Sequence, residues 1–137
     1  MDIKSKAAVE TAFLHLRDAH DELMYEGDPK DDKKVGVWLY GPGTRQYTSA
    51  QARQENRTFE TLKKKGKIDQ TADEKIAASA DFLASITQRF DNLDYDGLTG
   101  NSLAMAVYSD PALGFIGAQV RQFSGEWSNF TKGSEKS

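Results

Sequence analysis

Val35-Gly36-Val37-Trp38-Leu39-Tyr40, stopped by Gly41-Pro42-Gly43, is the stretch that decides the fold class of this chain. Its β-branched and aromatic side chains read as a strand, and the Gly-Pro-Gly run behind them continues neither strand nor helix. A strand needs a partner, and the only candidate before it is residues 7–25. That stretch carries two patterns at once. Val9, Phe13, Leu16, His20 and Leu23 stand at helical spacing, while Thr11, Phe13 and His15 alternate with Ala12, Leu14 and Leu16 as in a strand. Both readings stay open, and the strand is the better fit. Arg17-Asp18-Ala19-His20-Asp21 would then be a turn and Leu23-Met24-Tyr25 a short return strand. The polar run 27–34 is a loop, since Asp28-Pro29 opens turns and nothing apolar is there to bury. The expectation is a small antiparallel β element within residues 11–40.

Downstream the patterns are helical. Thr48 and Gln51 form a capping-box pair, which places a helix start near Ser49 and its end near Lys65, with Gly66 as a left-handed stop. Its apolar positions are few, chiefly Phe59 and Leu62, so it reads as a surface helix. Thr71-Ala72-Asp73-Glu74 is a second capping box, followed by Ile76, Ala80, Leu83, Ile86 and Phe90 at helical period, which predicts a helix to about Arg89. Residues 91–97 read as a loop, and Leu98 or Thr99 to Tyr108 as a short helix. Ser109-Asp110-Pro111 supplies a cap and an N-terminal proline for the last helix, on which Ile116, Val120, Phe123 and Trp127 form one stripe. The fold class is therefore α+β: a small N-terminal antiparallel β element followed by about four helices. Residues 1–130 form one domain and 131–137 a disordered polar tail. Leu83, Ile86 and Phe90 are expected to pack against Ile116, Val120 and Phe123.

Composition narrows the function. With 137 residues, 38% hydrophobic and 28% charged, the chain is long enough for one packed domain with a wet surface. No cysteine is present, which removes disulfides, iron–sulfur clusters and cysteine zinc sites. Eighteen basic against 21 acidic residues give a net charge of -3, which speaks against a broad basic face for nucleic acid. Lys63-Lys64-Lys65-Gly66-Lys67 reads as cations at a helix C-terminus, because no stacking aromatics accompany it. No apolar run approaches the ~20 residues that span a bilayer, and Asp18, Asp21 and Glu22 interrupt too soon for a signal peptide. A protein that stays in the cytoplasm, away from membranes, is expected.

Four constellations of residues bear on chemistry. Asn92-Leu93-Asp94-Tyr95-Asp96-Gly97 matches the first half of an EF-hand loop, but the twelfth position, where a bidentate carboxylate closes the site, is Leu103. A solvated turn is the better reading. His15 and His20, near Asp18 and Asp21, offer metal-ligand chemistry at a spacing that is not diagnostic, and solvent-exposed histidines are expected instead. Gly100-Asn101-Ser102-Leu103-Ala104 lacks the preceding buried strand and the partner histidine of a nucleophile elbow. Gly41-Pro42-Gly43-Thr44 lacks the lysine and spacing of a phosphate loop. No catalytic, cofactor or metal residue is assigned, and a non-enzymatic role is expected. What remains is the aromatic C-terminal end. Phe115, Phe123, Trp127 and Phe130 exceed what alanine-rich neighbours such as Ala77, Ala78, Ala80 and Ala84 can cover, so some are expected to be exposed and to bind a partner.

The order of segments also resembles a known family. A β element ends in Val37-Trp38-Leu39-Tyr40-Gly41-Pro42-Gly43-Thr44-Arg45-Gln46-Tyr47. A polar helix with Gln51, Arg53 and Arg57 follows, then an alanine-rich helix leading into Phe90-Asp91-Asn92-Leu93-Asp94-Tyr95-Asp96-Gly97. The chain closes with Val107-Tyr108-Ser109-Asp110-Pro111, Ile116-Gly117-Ala118-Gln119-Val120-Arg121-Gln122-Phe123 and Trp127-Ser128-Asn129-Phe130. From about residue 10 to 131 the chain resembles the small tail assembly chaperones of long-tailed bacteriophages. It departs from them at Phe90, where such proteins often carry tryptophan. The resemblance implies a non-enzymatic viral protein of the host cytoplasm. Its partner would be the tape measure protein, which it keeps soluble while tail tube subunits assemble, with the tail tube protein as a further partner; separately from the resemblance, exposed apolar groups left uncovered by a partner lead to an expectation of self-association. Many such proteins also occur in a longer, frameshifted form. Two other classes fit a small cysteine-free α+β chain: a structural virion protein (a tail tube, completion or connector subunit) and a calcium-modulated module.

Overall fold

The computed structural model describes residues 1–66 and 70–131. It is α+β. Three strands, β1 (Thr11–His15), β2 (Gly36–Tyr40) and β3 (Thr87–Asp91), form an antiparallel sheet in the order β1-β2-β3. Among the described residues there are four α-helices: α1 (Arg45–Lys65), α2 (Ala72–Ser85), α3 (Gly100–Ser109) and α4 (Gly114–Ser124). Short 3-10 turns lie at Ile3–Lys6, Pro29–Asp31, Pro111–Leu113 and Trp127–Phe130.

The open choice over residues 7–25 is settled by pairing. Ala12 opposes Leu39 and Leu14 opposes Val37, so the apolar members of the alternation all reach one face. Ala12, Leu16, Val37 and Leu39 are fully buried there, with Ala80, Leu83, Ile86, Val107, Ile116 and Val120 supplied from the helical side. The other face carries Phe13 against Trp38, ring centroids 5.4 Å apart. Gly36 is required beneath them, because a Cβ at that position would lie 2.2 Å from Phe13 Cζ and 2.5 Å from the Leu14 carbonyl oxygen. The Trp38 indole N–H donates to Asp91 Oδ2 at 3.0 Å, and the Arg89 guanidinium lies 5.0 Å over the Trp38 ring.

Several sequence expectations need correction. Leu23-Met24-Tyr25 does not form a return strand. It makes isolated bridges, Arg17 with Leu23 and Tyr25 with Lys34, and between them Met24 donates its N–H to the Leu16 carbonyl and accepts from Val35 N–H, both at 3.0 Å. The first helix begins at Arg45, four residues early: Thr44 is the cap, its hydroxyl accepting from Tyr47 N–H at 3.2 Å. Its stop at Gly66 is as expected, with φ 70°. Thr71 caps α2, its hydroxyl accepting from Glu74 N–H at 3.1 Å and donating to Glu74 Oε1 at 3.2 Å, but α2 ends at Ser85 rather than Arg89. Residues Thr87–Asp91 leave the helix to pair with β2, through a bulge opposite Trp38 and Leu39. Ile86 stays buried and Phe90 packs on the core from a strand. Helix α2 packs chiefly along α3 and touches α4 less, so the expected α2–α4 stripe is only part of the core. Asp110 caps the 3-10 turn rather than α4, accepting from Ala112 N–H at 2.9 Å. Helix α4 stops at Ser124, which puts Trp127 on the following 3-10 turn and off the helical stripe. The expected tail keeps only Thr131 within the described residues, its hydroxyl donating to the Ser128 carbonyl at 3.0 Å. Lys67 and residues 132–137 lie outside them.

Candidate functional site

The four aromatics singled out at the C-terminal end have three different fates. Phe130 is fully buried. Its ring fills the space over Gly41, where a Cβ would come within 2.6 Å, and stands edge-on to Phe123 at 5.7 Å. Its carbonyl accepts from Val9 N–H at 2.7 Å, tying the chain end to the start of β1. Phe130 is therefore a core residue and presents no surface to a partner, which corrects its assignment as a contact residue. Phe115 and Phe123 are half-buried and pack against the core from α4.

Trp127 is different: 58% of it is exposed. It rests on Gly43, the Cβ position of which lies 3.3 Å from the indole. A shallow recess of about 430 Å³ opens beside it, walled by Lys6, Ala7, Ala8, Ser128 and Thr131. The indole is thus backed by Gly43 of the short Gly-Pro-Gly turn and open above. Exposed aromatics of this kind are what protein interfaces prefer at their centres. A second apolar pair was legible in the sequence but not read as a site. Helix α1 turns Tyr47, Ala50, Gln54, Thr58 and Thr61 inward, and Arg53 and Arg57 reach Asp81 of α2 at 3.6 and 3.3 Å. Phe59 (63% exposed) and Leu62 (43%) lie one turn apart on the outer side. The signal was there in their offset from the Tyr47–Ala50–Gln54 row, but without the position of α2 the buried side of so polar a helix could not be chosen.

The other constellations are committed to structure. The Asn92 amide N–H donates to the Lys34 carbonyl at 2.8 Å, tying the EF-hand-like segment to the chain before β2, and Asp94 Oδ1 accepts from Gly97 N–H at 3.2 Å within the segment's own turn. Asn92, Asp96 and Gly97 adopt left-handed φ of 57°, 53° and 72°. His15 is part-buried rather than exposed: its Nε2 donates to the Met24 carbonyl at 2.8 Å and its ring meets Tyr25 edge-on at 4.9 Å. His20 is exposed, as expected. Ser102 is exposed in the first turn of α3. Gly41-Pro42-Gly43-Thr44 is the turn from β2 into α1, closed by the Thr44 hydroxyl donating to the Gly41 carbonyl at 2.7 Å. No group of three or more His, Asp or Glu suited to a metal ion occurs among the described residues.

Two tyrosines titrate abnormally, both for structural reasons. Burial pushes the Tyr108 hydroxyl well above the ordinary value, and its hydrogen bond with Thr87 (2.7 Å) offsets this only in part. The Tyr95 hydroxyl donates to Asp110 Oδ2 at 2.9 Å; that bond first, and the carboxylate charge second, raise its pKa. Neither lies beside Trp127. No helix of the described residues is long and apolar enough to cross a membrane. Comparison with protein-family models, with curated proteins and with solved structures finds no match.

Proposed function

We propose that this chain is a non-enzymatic tail assembly chaperone of the kind found in long-tailed bacteriophages. It acts in the host cytoplasm, binding the tape measure protein and keeping that long helical chain soluble until the tail tube forms around it. The resemblance in segment order motivates the class, and one observation supports a binding role: Trp127 is a large aromatic, more than half exposed, seated on Gly43 beside an open recess. An amphipathic helix laid across such a surface buries its apolar face against the indole.

The test is co-expression with the tape measure protein of the same phage. The wild type is expected to carry it into the soluble fraction, and Trp127→Ala to weaken the complex by about 2 kcal/mol, roughly thirtyfold. A tape measure protein no more soluble with this chain than without it sinks the chaperone reading. Rescue by Trp127→Ala equal to wild type leaves the function and removes the surface. Denaturing electrophoresis of purified particles separates the structural alternative: a chaperone is absent from them, and a tube, completion or connector subunit is present.

A further inference from the structure

The sheet has an unpaired edge, and the pattern of charges along it selects a partner. Strand β3 is the last in the order β1-β2-β3. Antiparallel strands point alternate residues at each neighbour. In β2 the odd-numbered residues serve β1, as shown by Leu16 N–H to the Val35 carbonyl at 3.0 Å and Gly41 N–H to the Glu10 carbonyl at 2.9 Å. The even-numbered ones serve β3, as shown by Tyr40 N–H to the Ile86 carbonyl at 2.8 Å. Arg89 and Asp91, opposite Trp38 and Gly36, therefore exchange their main-chain bonds with β2, while Phe90 turns its N–H and carbonyl outward. Among the described residues no group outside the sheet bonds to the Phe90 main chain. A groove of about 450 Å³, walled by Leu93, Leu98, Leu103 and Ala104, runs beside this edge.

We propose that β3 pairs with β3 of a second copy of this chain, antiparallel and centred on Phe90, joining two three-stranded sheets into one of six. Only outward-facing residues can bond across the new seam, and this restricts the two-fold registers. Centring on Arg89 sets Arg89 opposite its own copy, and centring on Asp91 sets two aspartates together; like charges directly opposed destabilise a sheet. Centring on Gln88 places the bulge at the seam and runs Asp91 past the end of the partner strand. Centring on Phe90 lets the two Phe90 residues exchange both main-chain bonds and sets each Arg89 opposite the other copy's Asp91. The four charges then alternate on the exposed face of the sheet, where Arg89 and Asp91 already meet at 3.1 Å within one copy. The left-handed turn at Asn92 carries each chain away just beyond the paired residues. An exposed strand edge is a template for this addition. The pairing is two-fold, so it closes at a dimer. This inference stands independently of the chaperone reading and uses none of its surface.

Analytical ultracentrifugation of the purified full-length chain across a concentration series tests it. The wild type is expected to show a monomer–dimer equilibrium. Arg89→Asp and Asp91→Arg each set like charges across the seam and are expected to raise the dimer Kd at least tenfold. The double variant Arg89→Asp/Asp91→Arg restores alternation and is expected to recover most of that loss. Circular dichroism melts of each variant confirm that the monomer remains folded, and only folded variants enter the comparison. A wild type that stays monomeric, or that grows beyond a dimer, overturns the proposal. So does a dimer indifferent to both single substitutions. Weakening by the singles without recovery in the double refutes the Phe90-centred register.

Discussion

Trp127 and Phe130 are two large aromatics three residues apart on one 3-10 turn, and truncating each to alanine should give unequal results. Phe130 is fully buried between Gly41 and Phe123, and nothing in its place fills the volume. Burial and cavity terms together make Phe→Ala at such a site cost about 3–5 kcal/mol. At about 2.1 cal/mol/K per residue, this chain unfolds with an entropy near 0.3 kcal/mol/K, so Tm should fall by about 10–17 °C. Trp127 keeps more than half its surface in water when folded, so Trp127→Ala should cost clearly less, about 2 kcal/mol, or about 7 °C. The assay is thermal unfolding followed by circular dichroism, with urea melts to check that the m-value is unchanged. A Phe130→Ala protein that melts within 3 °C of wild type refutes the placement of the C-terminal turn in the core. A Trp127→Ala protein that loses as much as Phe130→Ala refutes the division of these aromatics into one buried and one displayed.

Gly36→Ala should destabilise by about 2 kcal/mol or more, because the new methyl meets both the Phe13 ring and a strand carbonyl, and only the ring can move; a urea midpoint equal to wild type contradicts that packing. Stability should fall as pH rises above about 10. The unfolded chain releases the Tyr108 proton near the ordinary value of 10.0, while the folded chain holds it to higher pH, so folding stability is fully present below that value and declines by up to about 1.4 kcal/mol per pH unit above it. Tyr108→Phe should flatten this alkaline decline in urea melts run from pH 8 to 11, and an unchanged slope would show that Tyr108 is not its source. Calcium at about 1 mM should move Tm by less than about 1 °C. A sensor-grade site with Kd near 10⁻⁵ M would instead add about 2.7 kcal/mol, a shift of about 9 °C, and would return the 92–97 segment to the metal-binding class.

The parts of this fold that were legible in the chain are those governed by neighbours in sequence. Strand β2 could be read from its own side chains. The stop at Gly66 and the cap at Thr71 follow from the backbone groups at helix ends, which must find partners within a few residues. The buried face of β1 followed from its alternation once it was a strand, but the choice of strand over helix waited on Val37 and Leu39 to receive it. What lay beyond the sequence was set by distant partners. Thr87-Gln88-Arg89-Phe90-Asp91 carries no strong preference, and Ile86 and Phe90 suit the face of a helix as well as a strand. It became β3 because β2, buried at the sheet centre, has a second edge with main-chain groups that must be bonded, and only a strand bonds them in a row. The aromatic end divided in the same way. Composition identified an excess of large apolar groups, whereas Phe130 was drawn inside by Gly41, a residue 89 positions away, and Trp127 was left outside on Gly43. Local chemistry decides which conformations a segment can take. The choice among them belongs to unsatisfied groups and unfilled volume on other segments, and these exist only once the chain has come together.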